Sequence, residues 1–455
     1  MSNISERFKQ RVHERAVELY GKSLPKEVSD RIEEEYERIA DYKDYKIDEL
    51  MLTISDIFKE VGLAAEDVYE GAYSGASFLG YLLDINCGIN PLPPHYRCAH
   101  CKHSDFDVPA TTRVGAELSE KICPVCGKPM TGEGFSIDPW FFYGSPEEIK
   151  SFIYSTLHDK PEDKLVAFNF FAYRVPTDKL AAVIDALKRV EGISNCREFF
   201  DELRKAHGVE PPNKFEWKMR FHDDIELYLW NTPRTDLLSK LAALSGVHQG
   251  TIPIGNSPNT QAIREAFSKK HIFNVPVNAQ TLKEFIQQDA PFLGIEEMEL
   301  LFRQLELLFG QMDDMLTYFK PKCFYDLVRC IAIYLGEGAW KELLRSKPTE
   351  LPACCDDVFE LLKDADFDRK TAFAYTRQIQ KGEGLTAEQE SELRSHGVPS
   401  WFIEQCKKIR SLDTKSAAIS MAFAAWRLLY YRFCVVDKET FYQTFIDAYH
   451  YNDTK

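Results

Sequence analysis

No apolar run in the 455 residues approaches the roughly 20 residues that a membrane-spanning helix needs. The opening MSNISERFKQRVHERAVELYG is polar with a helical period, unlike a secretion leader. With neither span nor leader, the expectation is a cytoplasmic location and no membrane partner. A basic excess is missing too: 56 Lys and Arg stand against 71 Asp and Glu, a formal charge of −15 at pH 7. Proteins that grip phosphate backbones usually carry a basic surface. An acidic total therefore argues against a chain that is a phosphate binder all over, and leaves room only for a local basic groove. There is no Gly-x-x-x-x-Gly-Lys-Ser/Thr loop, which removes the common nucleotide-hydrolysing folds. There is no serine nucleophile elbow, and the 11 histidines show no metal-binding helical spacing. Internal repeats and low-complexity tracts are absent as well.

Cysteine is what stands out. Residues 90–130 hold two Cys-x-x-Cys pairs, Cys98/Cys101 and Cys123/Cys126. Each pair offers two thiolates for two corners of a tetrahedron, and a second pair across a loop closes it. Pro124 and Gly127 shape the second turn, and Lys102 and Lys128 offset the thiolate charge. The reading is a structural zinc site. Four protein ligands leave no open position, so the metal folds the loop and performs no chemistry. Two disulfides are the rival pairing, which a reduced compartment argues against. The neighbouring His95, His100 and His103 read as loop residues, with exchange for a cysteine ligand as the alternative. The other cysteines, such as Cys87, Cys196, Cys330, Cys354, Cys355 and Cys406, read as reduced, mostly buried thiols.

The chain is long enough for two to four packed units. Residues 5–42 read as helix, with Leu19, Leu24, Val28, Ile32 and Tyr36 in an apolar stripe and Glu33–Glu35 with Arg38 opposite. Pro25 marks a second helix start. Ile47–Val61 is helical with Gly62 as its stop. Helices are also expected at 146–157 and, with Pro176-Thr177 as its entry, at 178–189; strands are expected at 165–173 and, from strand-like alternation, over 215–230. From Asp236 onward nearly everything is helical, with segments near 236–245, 259–268, 279–288, 295–318, 322–334, 338–345, 355–363, 369–380, 386–395, 399–409 and 414–433. Among acidic runs, Asp364-Ala-Asp-Phe-Asp368 is the tempting metal site. Asp368 reads instead as the N-cap of the helix that follows. The pairs Asp223-Asp224, Asp313-Asp314 and Asp356-Asp357 read as solvated faces or caps.

The phrase INPLPPHYRCAHCKHSDF, with ICPVCG downstream, resembles the PolC-type (family C) bacterial DNA polymerase III alpha subunit. Further stretches resemble the same family in one order: ERAVELYGKSLPKEV, LSGVHQGTIPIGNSPNTQAI, KPKCFYDLVRCIAI, CCDDVFELLK, the segment from Ala372 to Arg410, and AAWRLLYY. The fold this implies is α+β and mostly helical: a reduced polymerase palm with an inserted zinc module, followed by an all-helical fingers-like domain. The divisions are 1–89 helical and palm-like, 90–132 the four-cysteine module, 133–232 a truncated palm-like α/β part, and 233–455 fingers-like.

The catalytic phrases of that family depart from this pattern. Its palm holds two metal ions on three aspartates. The Asp-x-Asp strand is missing where Trp140–Tyr143 runs directly into Ser145-Pro-Glu-Glu148. Tyr228 stands where the third aspartate belongs, leaving Glu226 as a lone neighbouring acid. The phosphate-cradling loop survives as a remnant, Gly71, Ser74, Gly75 and Ser77, with Tyr73 in place of its arginine. Lys415 is retained, but Ala417 replaces the histidine of the fingers phrase. Tyr73, Trp140, Tyr228 and Trp230 are expected to fill space that metals and nucleotide use in the family. Without the groups that neutralise phosphate, phosphoryl transfer is not expected. The resemblance thus implies a catalytically inactive PolC-like protein with a binding or regulatory role linked to DNA replication or a mobile element. The alternative is an active polymerase or nucleotidyltransferase with other metal ligands. Structural Zn2+ is expected and Mg2+ is not. DNA, as primer–template or single strand, and a replisome or other protein are the candidate partners. Lys408, Lys415 and Arg427 are the remnant residues for nucleotide or DNA, in basic clusters that also read as ordinary helix faces.

Overall fold

The computed structural model describes residues 4–41, 45–70, 74–143, 171–198, 216–222, 225–230, 233–254, 323–336 and 352–453. The expected helices at 146–157, 259–268, 279–288, 295–318 and 338–345 lie outside them, as does most of the strand expected at 165–173. The chain divides into two compact units, residues 1–256 with 443–455, and residues 257–442.

In the first unit, α1 (Ile4–Tyr20), α2 (Lys26–Asp41) and α3 (Ile47–Val61) follow the apolar periodicity of their sequences. Gly62 ends α3 in the left-handed conformation, at φ +68°. One face assignment fails. The buried stripe of α2 is Val28, Ile32, Glu35 and Ile39, so Glu35 is not on the polar side.

A five-stranded sheet lies in this unit, in the order β1-β6-β9-β8-β7. Its strands are β1 (Tyr69–Glu70), β6 (Phe171–Arg174), β7 (Ile193–Glu198), β8 (Glu216–Phe221) and β9 (Ile225–Trp230). The run expected to be strand-like over 215–230 contains two paired strands, β8 antiparallel to β9. One face of the sheet is apolar and buried: Phe171, Tyr173, Met219, Phe221, Leu227 and Leu229. Tyr173 meets Phe58 of α3 edge-on, with ring centroids 5.1 Å apart. The helix α6 (Thr177–Leu187) follows β6, with Pro176 at its start as the sequence indicates. Its first residue is held from a distance: Asp236 accepts from the Thr177 N–H and hydroxyl, both at 2.7 Å. Asp236 itself sits in the first turn of α7 (Pro233–Ser245).

Between α4 (Phe78–Leu82) and α5 (Trp140–Tyr143) the chain leaves and returns side by side. Phe135, Ser136 and Ile137 donate backbone bonds to Asn90, Leu92 and Pro91 at 3.0 Å each. The loop so pinched off is a small curled sheet of β2 (His95–Arg97), β3 (Ser104–Asp105), β4 (Lys121–Ile122) and β5 (Pro129–Glu133), in the order β3-β2-β5-β4.

The described residues of the second unit are almost all helical. They form α8 (Phe324–Leu335), α9 (Cys355–Asp364), α10 (Arg369–Gln380), α11 (Ala387–Ser395), α12 (Ser400–Cys406) and α13 (Lys415–Tyr430). Phe324 stacks on Phe423 and meets Trp426 edge-on, which joins α8 to α13. Asp368 is the N-cap of α10, accepting from the N–H groups of Lys370 and Thr371. A capping box of Thr386 and Gln389 starts α11. A last helix, α14 (Lys438–Asp453), follows a π-helical turn at Tyr431–Val435. The molecule is thus a mostly helical α+β protein with a cysteine-bearing curled sheet. No helix among the described residues is long and apolar enough to cross a membrane.

Candidate metal centre and candidate functional residues

The two cysteine turns are built alike. In the first, Lys102 donates its N–H to the Cys98 carbonyl at 2.9 Å, and Cys98 donates to the His103 carbonyl at 2.8 Å. In the second, Gly127 donates to the Cys123 carbonyl at 2.9 Å, and Cys123 to the Lys128 carbonyl at 2.8 Å. The residue four after each leading cysteine takes the left-handed conformation, Lys102 at φ 67° and Gly127 at φ 69°. Glycine adopts that region freely; Lys102 carries a side chain there, and its ammonium donates to the Ala99 carbonyl at 2.9 Å across the turn. Each turn sits at the end of a hairpin strand, β2 and β4, so pairing through β5 brings the turns together.

The four sulfurs of Cys98, Cys101, Cys123 and Cys126 all lie within 4.8 Å of one another. Cys98 and Cys126 are 3.5 Å apart, as are Cys101 and Cys123. A disulfide needs about 2.05 Å. Tetrahedral zinc with Zn–S bonds of about 2.3 Å sets its sulfurs about 3.8 Å apart. The spacing therefore fits a metal and not the rival disulfide pairing, and all four cysteines are free thiols. The Cys101 N–H points at Cys98 and holds that thiol down to about 6, while hydrogen bonds among the sulfurs leave Cys101 and Cys126 raised. A small core of Tyr96, Met130, Val108 and Leu118 packs against the sulfurs. Arg97 and Glu133 form a fork-like ion pair across β2 and β5, and Lys121 pairs with Asp105. Gly115 and Gly132 let the loop lie directly on β5: a Cβ on Gly115 would fall 1.8 Å from the Glu133 carbonyl oxygen.

The three nearby histidines are outside the four-cysteine set. His100 is exposed on the first turn, whereas His95 is not a loop residue. It lies in β2, fully buried, stacked on Phe106 at 4.3 Å, with Nδ1 2.8 Å from the Pro93 carbonyl oxygen. Burial pushes its pKa down and keeps the ring neutral.

Of the remnant phosphate loop, Gly71 lies outside the described residues, and Ser74 and Gly75 form a single 3-10 turn. Ser77 is the N-cap of α4, accepting from the Gly80 N–H. The start of α4 is occupied by the protein's own anion, Glu35, whose exposure is 0%. Its carboxylate accepts from the N–H groups of Phe78 (2.8 Å) and Leu79 (3.1 Å), the Ser77 hydroxyl (3.0 Å) and the Tyr143 hydroxyl (2.9 Å). Arg31 pairs with it at 2.6 Å and reaches the Ala76 and Ile137 carbonyls. The sequence held one signal of this hub, the Arg31/Glu35 spacing of four on the α2 stripe. Trp140 is largely buried, with the Arg38 guanidinium 3.9 Å above its ring.

In the helical unit, Lys415 and Arg427 are inside, 7% and 3% exposed, while Lys408 is at the surface. The Lys415 N–H donates to Asp356, 2.7 Å away, at the start of α13. Asp356 is 4% exposed, and burial pushes its carboxyl up to about 7. Arg427 lies over the Phe423 ring at 5.0 Å. Exposed Lys407 is held by Glu390 and Glu404. Lys269 and Lys270 lie outside the described residues.

Strand register places the remaining candidate residues. Tyr228 of β9 stands between Ala172 of β6 and Lys218 of β8. Arg197 of β7 stands opposite Lys218. No carboxylate falls in that row. Glu226 stands opposite Arg220, and Glu216 opposite Trp230.

A mostly helical α+β chain with a four-cysteine ribbon pinched out of its first unit is the class that fold and site define. No protein-family model matches the chain. It is similar to the DNA polymerase III PolC-type chains of Thermotoga petrophila, 27% identical over 95% of this chain and 34% of the relative. It also matches those of Caldanaerobacter subterraneus subsp. tengcongensis (26% identical, 95% and 33%) and Bacillus subtilis (26% identical, 94% and 32%). The chain is a PolC-like homologue that spans about a third of the length of these relatives.

Proposed function

We propose that this chain is a PolC-like protein without polymerase chemistry, with a binding or regulatory role in DNA replication or on the DNA of a mobile element. The carrying observation is the row Ala172–Tyr228–Lys218–Arg197 across the five-stranded sheet. By the resemblance, Tyr228 takes the position of a metal-binding aspartate, and its register neighbours supply no acid. The two acids on that face, Glu216 and Glu226, sit four β9 positions apart by register, about 13 Å along the strand. Two cations held about 3.5–4 Å apart need carboxylates that converge. The first unit acts as a reduced palm and the second as the fingers-like part.

Zinc in the ribbon is structural in this reading. Cys98, Cys101, Cys123 and Cys126 would hold it, and its charge would keep the four sulfurs as thiolates. The chain's own residues do the rest: Arg97 with Glu133 and the Tyr96 core fix the strands that present the sulfurs. Glu35 supports the reading in a second way. It takes up the helix-start N–H groups and the Ser77 hydroxyl that the remnant loop would otherwise offer to an anion.

The test is primer extension with Mg2+ or Mn2+, with DNA retention measured on the same samples. The expected result is retention without extension. Extension above background removes the reading in favour of an active polymerase.

A further inference from the structure

The end of α1 meets the cysteine ribbon at two places, both in the part that carries Cys98 and Cys101. Tyr20, the last residue of α1, is 2% exposed. Its hydroxyl accepts from the Asn90 side-chain amide at 2.9 Å and lies 3.5 Å from His95 Nε2. His95 Nδ1 faces the Pro93 carbonyl oxygen, which is an acceptor, so Nδ1 carries the proton and Nε2 accepts from Tyr20. The Asn90 amide also donates to Glu133 at 3.3 Å, the acid that Arg97 clamps across β2 and β5. His95 and Arg97 both belong to β2, which leads directly into Cys98. The second meeting point is close to the backbone. Gly21 follows α1 in the left-handed conformation, at φ +86°, and a Cβ there would meet the Lys102 Cβ at 3.4 Å. Lys102 is the left-handed residue of the first cysteine turn. The rest of α1 is held elsewhere: Arg7 and Arg11 pair with Asp56 of α3, and Arg15 with Asp84. Its last turn is the part that leans on the ribbon.

We propose that β2 and the first cysteine turn form a metal-dependent dock for the end of α1, so that zinc loading orders residues 16–21 together with the ribbon. The inference rests on zinc in the ribbon and is independent of whether the sheet performs transfer. A ribbon with so small a core takes its shape from its metal. When the ribbon opens, His95 and Asn90 leave their places and the Tyr20 hydroxyl is buried without the partners it had. An unsatisfied buried hydroxyl is costly, and the last turn of a helix is the part that most readily frays. The end of α1 therefore lets go while Arg7 and Arg11 keep the start of the helix on α3. Linkage makes the effect reciprocal: a change that loosens the dock weakens zinc binding by the same factor.

The experiment uses the full chain. Zinc binding by the wild type is measured first, and a chain that takes up no zinc removes the metal reading itself. Zinc affinity is then compared for wild type, Tyr20→Phe and Arg11→Ala by equilibrium competition with a colorimetric chelator. Tyr20→Phe keeps the ring and removes the hydroxyl, and is expected to weaken zinc about fivefold to tenfold. Arg11→Ala breaks the pair between α1 and α3 and is expected to bind zinc as the wild type does, which tells the dock apart from a general loosening of the unit. Hydrogen exchange read by mass spectrometry on loaded and EDTA-stripped chain is expected to show residues 16–21 losing protection together with residues 95–133, while residues 4–11 keep theirs. If stripping unfolds the whole unit, the affinities decide. Equal zinc affinity for wild type and Tyr20→Phe, an equal loss with Arg11→Ala, or unchanged protection of residues 16–21 while the ribbon opens overturns the dock.

Discussion

The cysteine ribbon and the five-stranded sheet belong to one unit of the chain and differ in what they offer a metal. In the ribbon every group a metal needs is present: four sulfurs within 4.8 Å, two turns with matching backbone bonds, and an ion pair clamping the strands. In the sheet, register sets Tyr228 in a row with Ala172, Lys218 and Arg197, none of them an acid. The difference follows from what each part does for folding. A metal-bound ribbon of this size has a very small core and cannot hold its shape without its ligands. A sheet whose other face is packed with Phe171, Tyr173, Met219, Phe221, Leu227 and Leu229 holds its shape whatever its polar face carries. Catalytic acids are expendable to a fold; structural cysteines are not.

That contrast can be broken most forcefully at the ribbon. Replacing Cys98 or Cys123 by Ser, or stripping metal with a chelator, should unfold residues 90–132 and lower bound zinc from one per chain to none. Zinc quantification with limited proteolysis checks it, and unchanged protease resistance would dissolve the contrast. Next is the Glu35 hub. Glu35→Ala strands the Arg31 guanidinium, two hydroxyls and two backbone N–H groups, and should cost about 3–5 kcal/mol in urea unfolding. Glu35→Gln, which keeps the shape and an acceptor oxygen, should cost less.

A third prediction concerns pH in the helical unit. Burial raises the folded pKa of Asp356 to about 7, from an ordinary 3.8. A carboxyl whose folded pKa lies above its unfolded value adds stability below the unfolded value and loses it as pH rises through the folded one. Unfolding titrations should show this unit weakening between about pH 4 and pH 7, and Asp356→Asn should flatten that slope. The smallest effect is at Asp368, where Ala should cost about 1 kcal/mol by removing the N-cap of α10. Because that residue closes the tempting Asp364–Asp368 acid run, a loss of metal binding in this variant would revive the run as a site.

Local chemistry was legible and tertiary placement was not. The two Cys-x-x-Cys turns, Gly62 as a helix stop, Pro176 as a helix entry and Asp368 as a cap each follow from a few adjacent residues. The Glu35 hub draws on α2, α4 and α5, which are far apart in sequence, and a glutamate on a helix ordinarily reads as solvated. His95 looked like a loop residue because three strand residues between prolines and a metal turn leave no period to read. Lys415 and Arg427 sat in a pattern that suited either a basic face or a core, and only packing against Tyr325 and Phe423 tells which. The two-faced character of β8 and β9 was visible as alternation, while the register that lines up Arg197, Lys218 and Tyr228 came from long-range pairing.

The central claim is the proposal that the ribbon holds a zinc ion while the sheet holds no catalytic pair of metal ions. Counting Mn2+ bound per zinc-loaded chain, by electron paramagnetic resonance with primer–template and nucleotide present, tests it most directly. The account predicts one zinc and no tightly held Mn2+. One or two Mn2+ ions bound per chain, released by mutating Glu226 or Glu216, would contradict it.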